Sequence, residues 1–251
     1  MEVYGMHPNI VQFEITGDYA LFSDPLMRVG GEKCSYQIPT YEGIKGILSS
    51  VYWKPTFIWY IDKIRIMNPI QMEAKGIRPI KYNGSIKNNK VNDLAYYTYL
   101  KQCRYQVQAH FEWNTNRPEL EGDRNENKHH NIAKRMIKKG GRRDIFLGTR
   151  ECQGYVEPCV FGEGIGAYDD IPELSFGLMY HGITYADEAY SEETKNSMTV
   201  RMWHPVMKKG IIEFLRPDEC TITKHVREMD MKNFGFDEGN FVGLKEFGEV
   251  N

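Results

Sequence analysis

The sequence lacks the cysteine pairs of a zinc site and any apolar run long enough to cross a membrane. Its five cysteines are scattered and form no CxxC pair, so neither a zinc site nor a disulfide framework is supported. The first ten residues, MEVYGMHPNI, have neither the basic nor the apolar region of a secretory signal. No apolar run approaches the roughly 20 residues of a transmembrane helix. We therefore expect a cytoplasmic protein with reduced thiols and no membrane partner.

A strong net charge is also missing, because 32 Lys and Arg oppose 34 Asp and Glu and leave a net charge of −2. Such a chain is not a general coat for nucleic acid, and any nucleic-acid site must be a local patch. One patch exists between Glu121 and Arg143, where eight Lys or Arg face three Asp or Glu, a local charge of +5. Phosphate is the first candidate ligand of this segment, because a polyanion needs cationic side chains.

The N-terminal two thirds of the chain show alternating strand and helix patterns. Period-two alternation predicts a strand over residues 11–22. Apolar residues at i, i+3, i+4 and i+7 predict an amphipathic helix over residues 40–53, with Thr40 as its N-cap and Pro55 beyond its end. The sequence further predicts strands over residues 57–71, 104–113, 143–148 and 149–160, a polar loop over 83–93 and a helix over 126–139.

The resulting order, β-α-β-β-α-β, is the ferredoxin-like topology that RNA-recognition motifs also use. After residues 161–172 the pattern changes to three strands without a helix, over residues 174–185, 198–207 and 211–215, as in an antiparallel meander. The tail from Pro217 has few periodic cues. We predict an α+β protein with a ferredoxin-like domain over residues 1–165 and a small antiparallel β-sheet domain with a tail over residues 166–251.

Lys128 and His129 stand in the first turn of the predicted basic helix, where backbone N–H groups and the helix dipole favour an anion. RNA carries its own nucleophile, the 2′-hydroxyl. A histidine can act as acid or base near neutral pH, and a lysine can stabilise developing negative charge. This chemistry requires no metal. The alternative is a solvated basic helix with two incidental histidines. His130 does not converge with its neighbour, so no metal site is expected.

The segment Gly140-Gly141-Arg142-Arg143 combines glycines that allow close backbone approach with arginines that can fork onto phosphate. A plain helix C-cap is the alternative, and both can hold. The candidate RNA-binding residues are Arg124, Lys134, Arg135, Lys138, Lys139, Gly140, Gly141, Arg142 and Arg143.

Several aromatic residues could stack on bases, although most aromatic side chains belong to cores. The candidates are Tyr36, Tyr41, Trp53, Tyr96, Tyr97, Tyr99 and Trp113. Two glycine-rich segments imitate cofactor motifs. Residues 162–167 match GxGxxA but precede acids rather than a helix, and residues 30–33 lack the spacing of a phosphate loop. We expect no cofactor.

Several long segments resemble one family. They are GDYALFSDPL, VGGEKCSYQIPTYEGIKGI, VYWKPT, NPIQMEAKGIRPI, HFEWNTNRPEL, DRNENKHHNI and GGRRDIFLGTRECQGYVEPC. The chain resembles, over nearly its whole length, the Dvulg subtype (subtype I-C) of the fifth Cas family. These are CRISPR-associated proteins of the RAMP superfamily.

This resemblance implies a ferredoxin-like N-terminal domain, a C-terminal antiparallel sheet and an endoribonuclease activity. Such proteins cleave precursor CRISPR RNA within each repeat, at the base of its hairpin and without metal. They then stay on the 5′ handle in an interference complex with backbone and large subunits. The family's catalytic trio, the Tyr of YWKP and the Lys-His of DRNExKH, matches Tyr52, Lys128 and His129.

The implied reaction is attack by the 2′-hydroxyl, which leaves a 2′,3′-cyclic phosphate. His129 is expected to be the principal acid or base, Lys128 to stabilise charge, and Tyr52 to orient the substrate or share proton transfer. Without the resemblance, Tyr52 would equally be an aromatic that seals the core at a helix end. A non-catalytic subunit that caps the 5′ handle is the alternative function. A metal-dependent DNA nuclease ranks below both, because the sequence offers no compact carboxylate cluster for Mg²⁺.

Overall fold

The computed structural model describes residues 8–25, 27, 32–79 and 94–231. The predicted loop over residues 83–93 and the Gly30-Gly31 segment lie outside the described residues. Among the helices of the described part, none is both long and apolar enough to span a bilayer.

The described chain forms thirteen strands and two α-helices. In chain order they are β1 (Val11–Ala20), β2 (Lys33–Cys34), α1 (Tyr41–Val51), β3 (Phe57–Ile66), β4 (Gln71–Ile77), β5 (Ala95–Trp113), α2 (Glu126–Lys138), β6 (Ile145–Phe146), β7 (Gln153–Pro158), β8 (Leu174–Ser175), β9 (Met179–Thr184), β10 (Ser197–Trp203), β11 (Val206–Lys208), β12 (Ile211–Glu213) and β13 (Ile222–Glu228).

Both predicted helices are confirmed, because local signals define them. Thr40 caps α1, and its hydroxyl oxygen accepts a hydrogen bond from the Gly43 N–H at 3.0 Å. Asn125 caps α2 in the same way, accepting from the Lys128 N–H at 2.9 Å. Each helix lies within two residues of its predicted bounds, since caps and amphipathic spacing are properties of contiguous sequence.

The central strands differ from the prediction. The expected strand over residues 57–71 is two strands, β3 and β4, separated at a segment that contains Pro69, which has no N–H to donate to a ladder. Strand β5 begins at Ala95, nine residues before its predicted start at 104, and β4 pairs along this additional half. That pairing joins distant segments, so no local pattern indicated it.

The C-terminal strands correct the expected meander. Strand β12 pairs with its sequence neighbour β11 and also with β3, so both strands lie in the large sheet and not with β9 and β10. The segment 198–207 is broken into β10 and β11 before Pro205, and the tail contributes β13, which pairs with β10. Strand β13 is exposed at every position, so it carries no buried face from which the sequence could predict it.

Two sheets result. The larger has ten strands in the order β6-β7-β1-β5-β3-β12-β11-β8, with β2 and β4 paired to β5, and the smaller has the order β13-β10-β9. Apart from the parallel β2–β5 pair, the pairs between the described strands are antiparallel. The fold is therefore mixed α/β, with mostly antiparallel sheets and few helices.

The helices close the core over this sheet. Helix α1 contacts β3, and α2 contacts β1 and β7. Helix α1 buries Ile44, Ile47, Leu48 and Val51. Helix α2 buries the single stripe His129, Ala133 and Ile137, which recurs every fourth residue on one face. The packing of these two helices brings the end of α1 to the start of α2.

Candidate active site

Tyr52 lies where α1 ends. Its backbone N–H still donates to Leu48 O, but its φ of −158° and ψ of 127° turn the chain into an extended path. The Tyr52 carbonyl accepts a hydrogen bond from Trp59 Nε1 at 2.8 Å, which ties this corner to β3. The side chain is only 4% exposed. The corner therefore holds the phenol ring rigidly, with its hydroxyl directed at the start of α2.

His129 is completely buried. Aromatic rings surround it, with the ring centroids of Phe57 and Trp113 at 5.3 and 5.8 Å. Lys128, its sequence neighbour, has a side chain that is 47% exposed. Adjacent residues on a helix lie about 100° apart, so the turn that buries the histidine directs the lysine to solvent. The two predicted site residues are thus neighbours, but the His129 side chain lies in the core and the Lys128 side chain lies in solvent.

The Tyr52 hydroxyl oxygen lies 2.7 Å from Nδ1 of His129. The other ring nitrogen, Nε2, lies 2.7 Å from the backbone carbonyl oxygen of Asp123. Because a carbonyl can only accept, Nε2 carries the proton in the neutral ring, and Nδ1 accepts from the Tyr52 O–H. The geometry therefore assigns the tautomer and makes Tyr52 the donor.

Asp123 joins this pair to the lysine. Its carboxylate forms an ion pair with the Lys128 ammonium and accepts a hydrogen bond from the Thr56 hydroxyl at 2.9 Å. The hydrogen bond from Lys128 is the largest cause that lowers the pKa of the Asp123 carboxyl below its usual range. One residue thus holds His129 through its backbone and Lys128 through its side chain.

The environment of Tyr52 keeps its phenol protonated. Burial raises the pKa of Tyr52 above its ordinary value, the negative charge of Asp123 raises it further, and the positive charge of Arg142 opposes both. At neutral pH the phenol is therefore a hydrogen-bond donor rather than a phenolate. It could pass a proton on only when another group replaces that proton.

The predicted RNA-binding residues fall into three groups. Arg124 is half-buried and donates to the backbone carbonyls of Asn114 at 3.0 Å and Arg117 at 3.3 Å, which is a structural role. Gly140 and Gly141 have φ values of +81° and +112°, so both adopt the left-handed conformation with which a glycine ends a helix. The remaining cations, at the surface of α2 and after it, are exposed.

Five of those six exposed cations line two separate cavities. Arg142 and Arg143 line a cavity of about 220 Å³ with Ser49, Ser50 and Trp53. A second cavity, of about 630 Å³, is lined by Lys134, Arg135 and Lys138 of α2 and by mostly apolar residues around the start of β1 and the end of β7. Lys139 is exposed at the C-cap of α2 and lines neither cavity.

Among the candidate stacking aromatics, Tyr36, Tyr41 and Tyr99 are buried, and Tyr97 and Trp113 pack partly against the core. Trp53 is 43% exposed and Tyr96 is 52% exposed. In the rejected GxGxxA segment, the Gly166 N–H donates to the Asp169 carboxylate at 2.7 Å, so an internal acid takes the position that a phosphate would need.

Sequence reasoning missed two features of this site. It did not select Asp123 or Thr56, whose importance depends on a long-range contact. It also expected His129 to face the substrate, although Ala133 and Ile137 at i+4 and i+8 already place His129 at the head of the buried stripe. Among the described residues, no group of three or more His, Cys, Asp or Glu is arranged to hold a metal ion.

The fold and the site define an α/β protein with a mostly antiparallel sheet, a buried Tyr–His pair and a cationic helix beside it. Residues 10–215 match the family described as CRISPR-associated protein (Cas_Cas5), and the chain belongs to this family.

Three relatives illustrate the similarity. A protein named CRISPR pre-crRNA endoribonuclease Cas5d, from Mannheimia succiniciproducens, is 34% identical over 149 residues, which are 53% of this chain and 64% of that relative. The match thus spans less than two thirds of that curated relative. A solved structure of a functionally uncharacterized protein from Streptococcus mutans is 35% identical with a TM-score of 0.68, covering 86% of this chain and 96% of that one. A crystal structure of a CRISPR-associated protein is 29% identical with the same TM-score and the same coverage.

Proposed function

We propose that this chain is a metal-independent endoribonuclease that cleaves precursor CRISPR RNA within the repeat, at the base of its hairpin. The observation that carries the proposal is the 2.7 Å contact between the Tyr52 hydroxyl and His129 Nδ1, with Lys128 held beside it by Asp123. The Mannheimia relative, whose name describes the same activity, supports it.

In the proposed reaction, the 2′-oxygen of the RNA attacks the adjacent phosphorus while the bond from phosphorus to the 5′-oxygen breaks. The products are a 2′,3′-cyclic phosphate and a 5′-hydroxyl. The proton of the 2′-hydroxyl must be removed, and the departing 5′-oxygen must gain one. Negative charge develops on the phosphorane oxygens between these events, and a nearby cation lowers its energy.

The burial of His129 changes the roles that the sequence alone favoured. A fully buried ring does not touch RNA, so we assign His129 an indirect role through Tyr52. The Tyr52 hydroxyl would take the proton of the 2′-hydroxyl while giving its own to Nδ1, which leaves the phenol neutral and the imidazole charged. This relay avoids the phenolate that the raised pKa of Tyr52 disfavours.

Lys128 supplies the positive charge. Its pair with Asp123 is at the surface, where such pairs contribute only ~0–1 kcal/mol, so a phosphate can compete for the ammonium. A lysine already held by Asp123 loses little freedom when it transfers to the phosphorane. We propose that Lys128 stabilises the phosphorane and that solvent or this ammonium protonates the 5′-oxygen.

We further propose a ferredoxin-like arrangement for the N-terminal part of the chain. The antiparallel order β7-β1-β5-β3, with α1 between β1 and β3 and α2 between β5 and β7, supports it. A division into domains over residues 1–165 and 166–251 is supported by the separate sheet β13-β10-β9, while β8, β11 and β12 extend the larger sheet.

We propose that the exposed cations Lys134, Arg135, Lys138, Lys139, Arg142 and Arg143 bind RNA phosphates, with Gly140 and Gly141 allowing close approach. Arg124 supports the site from within. The cleaved product would stay bound through its 5′ handle, in a cytoplasmic complex with backbone and large subunits of a subtype I-C system. Release of counterions from RNA would make this binding depend on salt.

The second candidate is a non-catalytic subunit that caps the 5′ handle. One observation favours it: His129 is buried with both ring nitrogens hydrogen-bonded, as in an architectural histidine. The two functions separate in a cleavage assay in EDTA on the cognate repeat RNA. The nuclease predicts one cut that is lost both in Tyr52→Phe and with a 2′-deoxy sugar at the cut site, while RNA binding persists. Tight binding by the unmodified protein without any cut would leave the capping role.

A further inference from the structure

Trp53 differs from the other tryptophans of the described chain. Trp59, Trp113 and Trp203 each pack against neighbouring aromatic rings. Trp53 makes no such ring contact within the residues that the structure describes, and it is 43% exposed. An exposed indole at the edge of a cavity offers a flat apolar face on which a ligand ring can stack.

The cavity beside Trp53 is small and cationic. It has a volume of about 220 Å³, below the roughly 300–1,000 Å³ of pockets that enclose drug-sized ligands. Arg142 and Arg143 line it, and in the described part of the chain neither guanidinium has an ion-pair partner. This small volume and positive charge suit one flat ring with a phosphate, whereas a helix or a strand of a partner protein is too large for the cavity.

The cavity wall is held in place by backbone contacts. The Arg143 N–H donates to Ser50 O at 3.1 Å, which fixes the chain after α2 against the last turn of α1. The positive φ of +112° at Gly141 makes the turn that directs the two arginines toward α1. The wall therefore exists before any ligand binds, which reduces the entropy that binding would cost.

The cavity also adjoins the proposed reaction site. Trp53 directly follows Tyr52 in the chain, and Arg142 is close enough to Tyr52 to act on its hydroxyl electrostatically. The cavity therefore lies close to the position at which the proposed reaction places the scissile phosphate.

We propose that the cavity lined by Trp53, Arg142 and Arg143 binds one unstacked nucleotide of single-stranded RNA. Its base stacks on the Trp53 indole, and its phosphate contacts the arginines. The nucleotide flanks the scissile phosphate, so this inference rests on the proposed function and adds a base-binding subsite to it. Stacking recognises any base face, so the subsite favours an unpaired nucleotide more than a particular sequence.

The test combines substitutions of Trp53 in the protein with the removal of single bases from the RNA. Equilibrium binding of the full chain is measured in EDTA, in the Tyr52→Phe background so that no RNA is cut. The probes are repeat RNAs that carry one abasic nucleotide at each position of the single strands flanking the hairpin. We expect one position at which the lost base weakens binding about 5- to 100-fold with Trp53 present and has almost no effect in Trp53→Ala. Trp53→Phe should restore the sensitivity.

Tyr155→Ala is the matched control, because Tyr155 is 59% exposed but lines neither cavity. It should leave the abasic profile unchanged. Equal abasic costs with and without Trp53 at every position would overturn the subsite. The binding test does not depend on cleavage. If the subsite is confirmed but the unmodified protein never cuts RNA, the proposed nuclease activity fails and the subsite stands.

Discussion

The Tyr52 hydroxyl and the Nδ1 atom of His129 are 2.7 Å apart, although the two residues are 77 positions apart in the chain. The contact joins the C-terminal end of α1 to the first turn of α2. The Asp123 carbonyl on the opposite side of the ring sets its tautomer, so the hydrogen bond has one direction. This arrangement makes Tyr52 the hydrogen-bond donor of the pair and His129 the acceptor.

Tyr52→Phe should remove cleavage and keep RNA binding. The ring remains, so packing is preserved, but no proton can pass to His129. We expect the single-turnover rate in EDTA to fall by about 10²-fold or more. Leaving the buried Nδ1 without its donor should lower the free energy of unfolding by about 1–3 kcal/mol. A rate within a factor of three of the unmodified protein would rule out the relay.

Lys128→Ala and His129→Ala should differ in stability although the residues are adjacent. His129 is buried and doubly hydrogen-bonded, so its truncation should lower the free energy of unfolding by roughly 2–4 kcal/mol. Lys128 is exposed, and its truncation should cost less than about 1 kcal/mol. Urea unfolding of both variants checks this contrast. Equal losses of stability would contradict the buried position of the ring.

Asp123→Asn should separate the positioning of Lys128 from RNA affinity. The amide can still accept from the Thr56 hydroxyl, and the backbone carbonyl to His129 is untouched, but the ion pair is lost. We expect RNA to bind as tightly or more tightly, because Lys128 is released, and to be cut about tenfold more slowly, because Lys128 is no longer held. A parallel loss of affinity and rate would instead indicate a general structural defect.

Glu112 should make stability depend on acid pH. Its hydrogen bond with His110, opposed by burial and reinforced by Arg216, lowers the pKa of the Glu112 carboxyl from 4.5 to about 2. A depressed carboxyl stabilises the fold above its unfolded pKa, and this contribution is lost as the pH falls from 4.5 toward 2. Because the group is partly exposed, we expect a modest slope of the free energy of unfolding over this range. Glu112→Gln should flatten it, and identical slopes would contradict the network.

His110 contributes with the opposite sign. Burial alone would lower its pKa, but hydrogen bonds with Asp62 and Glu112 raise it above 6.5. A raised histidine stabilises the fold below its unfolded pKa and loses that contribution as the pH rises through the folded value. His110→Gln should therefore reduce stability more at pH 5.5 than at pH 8, as measured by urea unfolding. An equal reduction at both pH values would show that the ring is neutral in the folded protein.

Local signals predicted the helices of this fold well. Capping residues, amphipathic spacing and Pro55 all act within a few positions, so α1 and α2 could be placed almost to the residue. The first half of β5 and the pairing of β12 with β3 could not, because each depends on a partner strand far away in sequence. Strand β13 has no buried face, and it is a strand because it pairs with β10.

The sequence by itself determined the chemistry available to this protein: a cationic helix with Lys128 and His129 in its first turn, and Tyr52 at the end of another helix. Tertiary structure alone decided how these groups meet. The packing of α1, α2 and the sheet placed Tyr52 against His129 and brought in Asp123. The physical reason is that helix spacing fixes directions around one axis, whereas distances between two helices depend on the core that fills the space between them.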